Sequence, residues 1–189
     1  MRELVYYIGV SIDGFIAAPD GTADAFPFEG DHVPLLTGEF ADALPAHVLA
    51  AIGATPPRTR FDAVIMGWNT YAVAHDAGID SPYAHLDQYV ASRTRTTAPD
   101  AVTLTADPVA TVRELKAHSG LGIYLCGGGE LASVLADEID RIIVKRYPVL
   151  FGGGIPMLRA EAYRPASFTL EQTRTFASGV TVQEYARRA

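Results

Sequence analysis

The sequence predicts an α/β fold built on a mixed, mostly parallel sheet. Apolar, β-rich segments recur along the chain, and segments with helical spacing or helix-start signals separate them, a pattern typical of parallel sheets. Two further β-rich segments end the chain and are joined by a tight turn at Ser178-Gly179, which predicts an antiparallel hairpin at one edge. Of the 189 residues 49% are apolar, enough for the core of one domain over residues 1–189.

Before residue 80 the sequence predicts two buried strands with loops and helices around them. The strands are the almost continuously apolar segments Glu3–Val10 and Phe61–Gly67. The other elements are turns at Asp13-Gly14 and Asp20-Gly21, a long loop over 22–45 with a short helical piece, a helix over Ala46–Gly53 and a helix that begins near Asn69.

After residue 80 strands and helices continue to alternate. Asp107 at an N-cap and Pro108 at the first helical position are a strong helix start. The predicted strands are Asp87–Thr94, Ala101–Thr105, Ile123–Cys126, the long Ile139–Leu150, and the hairpin segments Ala166–Gly179 and Val180–Arg188; a second helix follows at Gly129–Asp137.

Composition excludes several classes of function. The formal net charge of −7 argues against a large nucleic-acid footprint, which needs a basic face. The single cysteine, Cys126, excludes an internal disulfide framework. The N-terminal segment "MRELVYYIGVSIDGF" has no apolar run long enough for a signal peptide or a membrane span, so we expect a cytoplasmic protein without membrane contact.

Three consecutive glycines, Gly127 to Gly129, lie between a predicted strand and a predicted helix in "IYLCGGGEL". Residues without Cβ let backbone amides approach an anion closely, and a strand end in an α/β sheet is where ligands bind. The motif therefore fits a phosphate cradle, although it matches neither GxGxxG nor the P-loop. A tight turn without a ligand explains it equally well.

Two other strand ends carry chemistry suited to anions. In "VIMGWNTY" a strand ends at Gly67, and Asn69 or Thr70 either caps the following helix or contacts a ligand. In "YVASRTRTT" a strand ends in Ser92 and Arg93, with Arg95 close by; each arginine is either a surface residue or a phosphate ligand. Three such strand ends suggest one extended polyphosphate ligand, and a dinucleotide fits better than a mononucleotide.

These segments resemble the dihydrofolate reductase-like superfamily, and within it bacterial proteins related to the reductase domain of riboflavin biosynthesis. The resemblance spans nearly the whole chain and keeps the order of the motifs. It lies in "YYIGVSIDGFIAAPDG", "VIMGWNTY", "YVASRT", "IYLCGGGEL", "IDRIIVKRYPVLFGGGIPML" and the terminal hairpin. It implies a three-layer fold with helices on both faces of the sheet, a homodimer, and an NAD(P)H-dependent reductase of a small heterocyclic or conjugated substrate.

The resemblance also implies which residues hold the cofactor, expected to be NADPH with NADH as the alternative. Ala17 contacts the nicotinamide end, and Ser92 and Arg93 approach the adenosine phosphate. The central part is lined by Gly67, Trp68, Asn69 and Thr70, and the pyrophosphate lies on Cys126, Gly127, Gly128, Gly129, Glu130 and Leu131.

The chain departs from the family pattern at two of these positions. Trp68 stands where the family has an arginine for the 2′-phosphate, so the charge must come from Arg93 or Arg95, or Trp68 stacks on adenine. Cys126 stands where the riboflavin reductases have an acid, which argues against the riboflavin intermediate as substrate. Cys126 itself fits a small apolar filler.

Hydride chemistry belongs to the cofactor, so the protein must supply orientation and a proton. Asp13 lies beside the expected nicotinamide site and is one candidate donor, although bonding to the amides of its Asp-Gly turn also explains it. The resemblance to dihydrofolate reductases, which have a carboxylate in a helix that lines the substrate pocket, implies Glu39 as the second candidate, with Asp24 and Glu29 as alternatives. The five histidines lack zinc-site spacing, so no metal is expected. A non-catalytic nucleotide-binding protein on the same fold is the second hypothesis.

Overall fold

The computed structural model describes residues 2–159 and 163–188. Its strands are β1 (Leu4–Val10), β2 (Phe15–Ala17), β3 (Phe61–Gly67), β4 (Asp87–Ala91), β5 (Thr103–Thr105), β6 (Gly122–Leu125), β7 (Arg141–Arg146), β8 (Ile155–Pro156), β9 (Phe168–Thr175) and β10 (Thr181–Arg187). Its α-helices are α1 (Val33–Thr37), α2 (Ala46–Ala51), α3 (Trp68–His75), α4 (Pro108–Ala117) and α5 (Gly129–Val134), with 3₁₀ turns at Ala41–Ala43 and Ala136–Glu138.

Eight strands form one sheet in the order β5-β4-β3-β6-β1-β7-β10-β9. The first six of these are parallel, and the terminal hairpin adds β10 antiparallel to β7 and β9 antiparallel to β10. The predicted mixed sheet is therefore confirmed. Because β7 lies between β1 and β10, both of its backbone edges are paired, whereas β9 forms one edge of the sheet.

Helices cover both faces of the sheet. Side chains alternate between these two faces along each strand, so each face has its own core. On one face Tyr7 and Met66 pack with Leu36 of α1 and Tyr71 of α3. On the other face the core is formed by side chains of β1, β3 and β6 with those of α4 and α5: Leu4, Tyr6, Ile65, Ile123, Val112, Leu131 and Ala132. We call these the α1/α3 face and the α4/α5 face.

The predicted strand over Ile139–Leu150 is too long. The strand ends at Arg146, and Pro148, which lacks an N–H group, lies beyond it. The chain then turns at Gly152 and Gly154, both with positive φ, and reaches β8. β8 pairs with β2, and this small second sheet was not predicted because two- and three-residue strands carry no periodic signal.

Local signals for helix starts and turns are confirmed. Asp107 accepts a hydrogen bond from the amide of Ala110 (2.9 Å) at the start of α4. Gly53 ends the segment after α2 with φ of +65°, and Gly179 turns the terminal hairpin with φ of +83°. The strand predicted over Asp87–Thr94 ends at Ala91, because the following residues turn.

The start of β3 is held by a buried carboxylate. Asp42, in the first 3₁₀ turn, is fully buried and accepts hydrogen bonds from the amides of four consecutive residues, 58 to 61. This contact ties the loop before α2 to the strand that carries Gly67. It also places Arg60, which pairs with Glu39 on the α1/α3 face.

Candidate cofactor and substrate site

The three predicted strand-end motifs meet at the carboxyl edge of the sheet. β4, β3 and β6 are neighbours, so the segments that follow them lie side by side. The amide of Gly67 donates to the carbonyl of Gly127 (3.3 Å). The Arg93 guanidinium lies 4.0 Å from the Glu130 carboxylate. The convergence on which a dinucleotide site depends is present in the structure.

The three positions of the glycine motif differ in what requires a residue without a side chain. Gly127 has φ of +92°, which side chains disfavour. A Cβ on Gly129 would lie 2.3 Å from the carbonyl oxygen of Pro156 in β8, so this glycine permits close packing. Gly128 has φ of −87° and ψ of −168°, and its Cβ would meet only Thr70 Oγ1, at 3.9 Å. The φ and ψ of Gly128 and its packing against the described residues do not require glycine, and the peptide bond that joins Gly128 to Gly127 is cis.

Gly67 faces the same open space. Its φ of −74° suits any residue, and its Cβ would touch only Leu131, at 4.0 Å. It is also the N-cap of α3, and no side chain caps this helix, so the capping explanation for Asn69 and Thr70 is wrong. Asn69 is exposed and Thr70 faces Gly128.

Ala17 reaches this region through the second small sheet. It is buried in β2 and pairs with Ile155 of β8. A Cβ on Gly154 would lie 2.3 Å from the Ala17 carbonyl oxygen, so the two loops are in close contact. Because Pro156 of β8 touches Gly129, the loop with Ala17 lies next to the glycine motif.

Two arginines lie at the β4 end of the site. The Arg95 guanidinium carbon lies 4.5 Å from the centroid of the Trp68 ring, a cation–π contact. Ser92 Oγ accepts from the amide of Arg95 (3.0 Å) and so fixes the turn that presents it. The Arg93 side chain is 90% exposed and faces Glu130. Positive charge therefore lies where the family arginine is replaced by Trp68.

Asp13 is held by hydrogen bonds within the protein. Its carboxylate accepts from Ser11 Oγ (2.6 Å) and from the amides of Phe151 (3.2 Å) and Gly152 (2.7 Å). The Ser11 hydroxyl is the largest cause that lowers the Asp13 pKa, and the two amides add to it. This geometry favours a role in holding the β1–β2 turn against the segment after β7; the predicted proton transfer by Asp13 stays a prediction.

Glu39 lies on the α1/α3 face between two arginines. It pairs with Arg174 of β9 and with Arg60, and both arginines also approach Glu184 of β10, at 3.5 and 3.6 Å. The hydrogen bond from Arg174 is the main cause that lowers the pKa of Glu39. A carboxylate held ionised is a poor acid, so its predicted role as proton donor stays a prediction that this geometry disfavours. The alternatives Asp24 and Glu29 are exposed.

The Glu39 pairs make a testable pH prediction. Because the folded pKa of Glu39 lies below the ordinary value of 4.5, its ion pairs stabilise the fold above that value, and this contribution is lost as the pH falls through the folded pKa. Glu39→Gln should therefore lower the free energy of unfolding at pH 7 by about 1 kcal/mol, since partial exposure screens the pairs. Urea titrations at pH 7 and pH 3 measure this; an equal loss at both would contradict it.

One functional candidate escaped the sequence analysis. Lys145 of β7 points to the α1/α3 face, and its Nζ lies 3.9 Å from the centroid of the Tyr7 ring. Nearby, the Tyr83 hydroxyl and Cys126 Sγ form a hydrogen bond of 3.1 Å. The available signal was a lysine two residues after Ile143 in an apolar strand, on the inward side of the alternation.

A pocket of about 280 Å³ opens beside α3 on the same face. Its lining is mostly apolar and shares Thr70 and Tyr83 with the site. The lining residues are Pro45, His47, Met66, Thr70, Val73, Ala74, Ala77, Ile79, Pro82 and Tyr83. An apolar wall with few polar groups suits a small planar molecule.

The described residues provide neither a metal site nor a membrane-spanning helix. Residues 2–159 and 163–188 contain no group of three or more His, Cys, Asp or Glu side chains placed to hold a metal ion. No helix in these ranges is both long and apolar enough to cross a membrane.

The residues at the strand ends fit a bound NADPH or NADH. The open space at Gly67 and Gly128 leaves room for a ligand that a Cβ would fill. The backbone N–H groups in the first turn of α5 have no intrahelical acceptor. Arg95 and Trp68 lie at the β4 side of the row formed by the ends of β4, β3 and β6.

Comparison with known proteins shows the family to which the chain is similar. The family model of the RibD C-terminal domain matches residues 2–182. A protein of Bacillus subtilis strain 168, the uncharacterized protein YwjB, is 30% identical over 186 residues, which cover 95% of each chain.

Solved structures show the same fold. A putative riboflavin biosynthesis protein from Shewanella sp. PV-4 covers all of both chains with a TM-score of 0.71 and 25% identity. A deaminase/5-amino-6-(5-phosphoribosylamino)uracil reductase from Thermotoga maritima has a TM-score of 0.64 and 14% identity over 99% of this chain and 57% of its own. Dihydrofolate reductase from Enterococcus faecalis, complexed with NADP(H) and RAB-propyl, has a TM-score of 0.60 and 12% identity over 99% and 97% of the chains.

Proposed function

The chain belongs to the RibD C-terminal domain family, and we propose on this basis that it is an NAD(P)H-dependent reductase. It transfers a hydride from the nicotinamide to a small heterocyclic or conjugated substrate. The observation that carries the proposal is the paired absence of side chains at Gly67 and Gly128, which neither the φ and ψ of these residues nor their packing against the described residues requires. A dinucleotide bound at these strand ends requires it, because a Cβ at Gly67 or Gly128 would fill the space of the ligand.

In this proposal the chain's residues bind and orient the cofactor, which supplies the hydride when bound. The amides of residues 128 to 131 hold the pyrophosphate, and the loop with Ala17 covers the nicotinamide end. Thr70 faces the cradle from α3 and donates a hydrogen bond to the cofactor. The apolar pocket beside α3 adjoins this site through Thr70 and Tyr83.

The first test is binding of the cofactor itself. Adding NADPH to the pure protein should quench the fluorescence of Trp68, the only tryptophan, and raise the melting temperature. The quench should saturate at micromolar concentrations for a cofactor that is held along its length. No response to NADPH or NADH at millimolar concentrations would refute the proposal.

Arg95 should give a preference for NADPH over NADH. It stacks on Trp68 at the position where a 2′-phosphate is expected, and a guanidinium binds phosphate strongly. Arg95→Gln should weaken NADPH binding at least about 10-fold, which is about 1.4 kcal/mol, and leave NADH binding nearly unchanged. Fluorescence titrations with both cofactors measure this. Arg188→Gln, at the far end of β10, is the control; an equal loss for both cofactors would contradict the role of Arg95.

A non-catalytic nucleotide-binding protein is the second candidate. It is favoured by the geometry of Asp13 and Glu39, because both are held in hydrogen bonds that keep them ionised. It predicts tight cofactor binding with no oxidation of NADPH at 340 nm across a panel of dihydrofolate, the riboflavin-pathway pyrimidine and conjugated ketones. The riboflavin intermediate is the least expected substrate, since Cys126 replaces the family's acid.

We also propose that residues 1–189 act as one domain in the cytoplasm and form a homodimer. β9 offers an unpaired sheet edge with Leu170 half exposed, so the terminal hairpin is the expected interface. β7, the strand within the predicted element Ile139–Leu150, is hydrogen-bonded along both backbone edges. Only its side chains are therefore available for a contact between subunits. Sedimentation equilibrium distinguishes a dimer from a monomer.

A further inference from the structure

Lys145 lies on the α1/α3 face of β7 with Ile143 and Arg141, but Arg141 is paired with Glu3 and Glu171. The chain has two lysines, and the other, Lys116, pairs with Asp140 at 2.6 Å. No carboxylate among the described residues pairs with Lys145. Its Nζ is instead seated over the ring of Tyr7. An ammonium group held without a counter-ion in a partly buried place calls for a partner from outside the chain.

The surroundings of Lys145 carry no fixed negative charge. Burial lowers the pKa of Lys145 to about 8, and the Cys126 thiol opposes this in part. Burial also raises the pKa of Cys126 and of the tyrosines around it, so these groups stay protonated near neutral pH. The titratable groups that face this region are Tyr7 of β1, Tyr124 of β6, Cys126, Tyr83 and Tyr147; Arg60, Glu39 and Glu184 lie beyond Tyr7.

The position of Lys145 along the strand ends is set by the order of the strands. Arg95 follows β4, and the glycines Gly67 and Gly128 follow β3 and β6. A dinucleotide whose adenosine phosphate lies at β4 and whose pyrophosphate lies at β3 and β6 must extend toward β1 and β7. Lys145 lies on β7, two strand spacings or roughly 10 Å beyond β6. Its register partner on β1 is Gly9, and a Cβ on Gly9 would lie 3.2 Å from the ring of Tyr147.

On this placement, and resting on the proposed reductase function, we propose that Lys145 is the proton donor of the reaction. It donates to a carbonyl oxygen or imine nitrogen of the substrate that lies between its Nζ and the nicotinamide.

The step balances in protons and electrons. The C4–H bond of the reduced nicotinamide breaks and a C–H bond forms at the electrophilic carbon, so the substrate is reduced and the cofactor oxidised. The electron pair displaced onto the neighbouring oxygen or nitrogen takes a proton from the Lys145 ammonium. The neutral amine then regains a proton from water. A donor with a pKa near the working pH suits this exchange.

A lysine at this place also selects the substrate class. Glu39 is paired with two arginines, so the region around Tyr7 presents the Lys145 ammonium and no free carboxylate among the described residues. An ammonium favours carbonyl compounds and anionic conjugated substrates, and it repels a ring that binds as a cation. The inference is therefore a conjugated carbonyl or imine substrate without positive charge.

The charge of the oxidised nicotinamide tests this placement without a known substrate. The ring carries a positive charge in NADP⁺ and none in NADPH, while the phosphates are the same. With lysine labelled at ¹³Cε, the protein gives two lysine signals, and Lys145→Met assigns them. We expect the pKa of Lys145 to be lower by about 1 in the NADP⁺ complex than in the NADPH complex, because a like charge within several ångströms disfavours the ammonium. Lys116 should titrate equally in both.

The outcomes separate the two proposals. If Trp68 fluorescence shows that both cofactors bind but Lys145 titrates identically in both complexes, the proton-donor role is overturned and the cofactor site stands. If neither cofactor binds, the reductase proposal fails and the role of Lys145 fails with it. A pKa of Lys145 at the ordinary value near 10.4 in the NADPH complex would also overturn the role.

Discussion

Gly128→Val should abolish binding of NADPH and NADH while the protein still folds. The φ and ψ of Gly128 are open to any residue, and its Cβ would meet only Thr70 Oγ1 at 3.9 Å. A valine side chain therefore fits the protein but fills the space between Gly67 and Gly128. We expect affinity to fall at least about 100-fold, which is about 3 kcal/mol.

Fluorescence titration and the melting temperature are measured together for this variant. The matched comparison is Gly129→Ala, whose Cβ would lie 2.3 Å from the Pro156 carbonyl oxygen. That smaller change should lower the melting temperature by several degrees, because the backbone of β8 must move. Normal cofactor affinity in Gly128→Val would identify the glycine motif as a turn and remove the main support for the cofactor site.

The contrast between these glycines marks the limit of the sequence analysis. In the sequence Gly127, Gly128 and Gly129 form one motif, and a turn explains it as well as a cradle does. The structure separates them, because one is needed for φ, one for packing and one for neither. The separation depends on Pro156, which is distant in sequence, so no local pattern contains it.

Strands and helix starts were predictable because their signals are local. Phe61–Gly67 is an apolar run that ends in glycine, and Asp107 caps α4 through its own side chain. The pairing of β2 with β8 was missed because it joins short, irregular segments about 140 residues apart. The convergence of Gly67 with Gly127, and of Arg95 with Trp68, depends on strand order, which local sequence does not determine.

Lys145 shows why part of the candidate site was missed. A lysine in a strand is usually at the surface, and the element Ile139–Leu150 was interpreted as an apolar strand. Lys145 is distinguished by the cation–π contact of its ammonium with Tyr7 and by the lack of a carboxylate partner among the described residues. Both features depend on the three-dimensional structure and leave no local pattern in the sequence. Conversely, Glu39 was expected in a substrate pocket, and only the structure shows that two arginines occupy it.

Asp42→Ala should lower the free energy of unfolding more than Glu39→Gln or Asp31→Ala does. Its two oxygens accept from the amides of Arg58 (2.6 Å), Thr59 (2.9 Å), Arg60 (2.9 Å) and Phe61 (3.2 Å), and the side chain is fully buried. Alanine leaves these amides without an acceptor, and each such loss costs about 1–3 kcal/mol when water cannot replace the acceptor. Because the loop is partly exposed, we expect about 4 kcal/mol in total, a large share of the 5–15 kcal/mol typical of a domain.

The backbone of the loop makes this carboxylate harder to replace. Arg58 has φ of +53°, the only positive φ among the described non-glycine residues, and successive amides in such a turn form a concave site for an anion. Without Asp42 nothing in the loop holds Arg58 in that conformation, and Arg60 loses the support that places it against Glu39. The matched control is Asp31→Ala, because Asp31 is exposed and accepts from two amides, those of Ala177 and Ser178. Urea unfolding should give a much smaller loss of stability for Asp31→Ala than for Asp42→Ala, because water replaces an exposed carboxylate as the acceptor. Equal losses in the two variants would mean that water replaces the Asp42 carboxylate, and that the start of β3 is held by the packing of Phe61 instead.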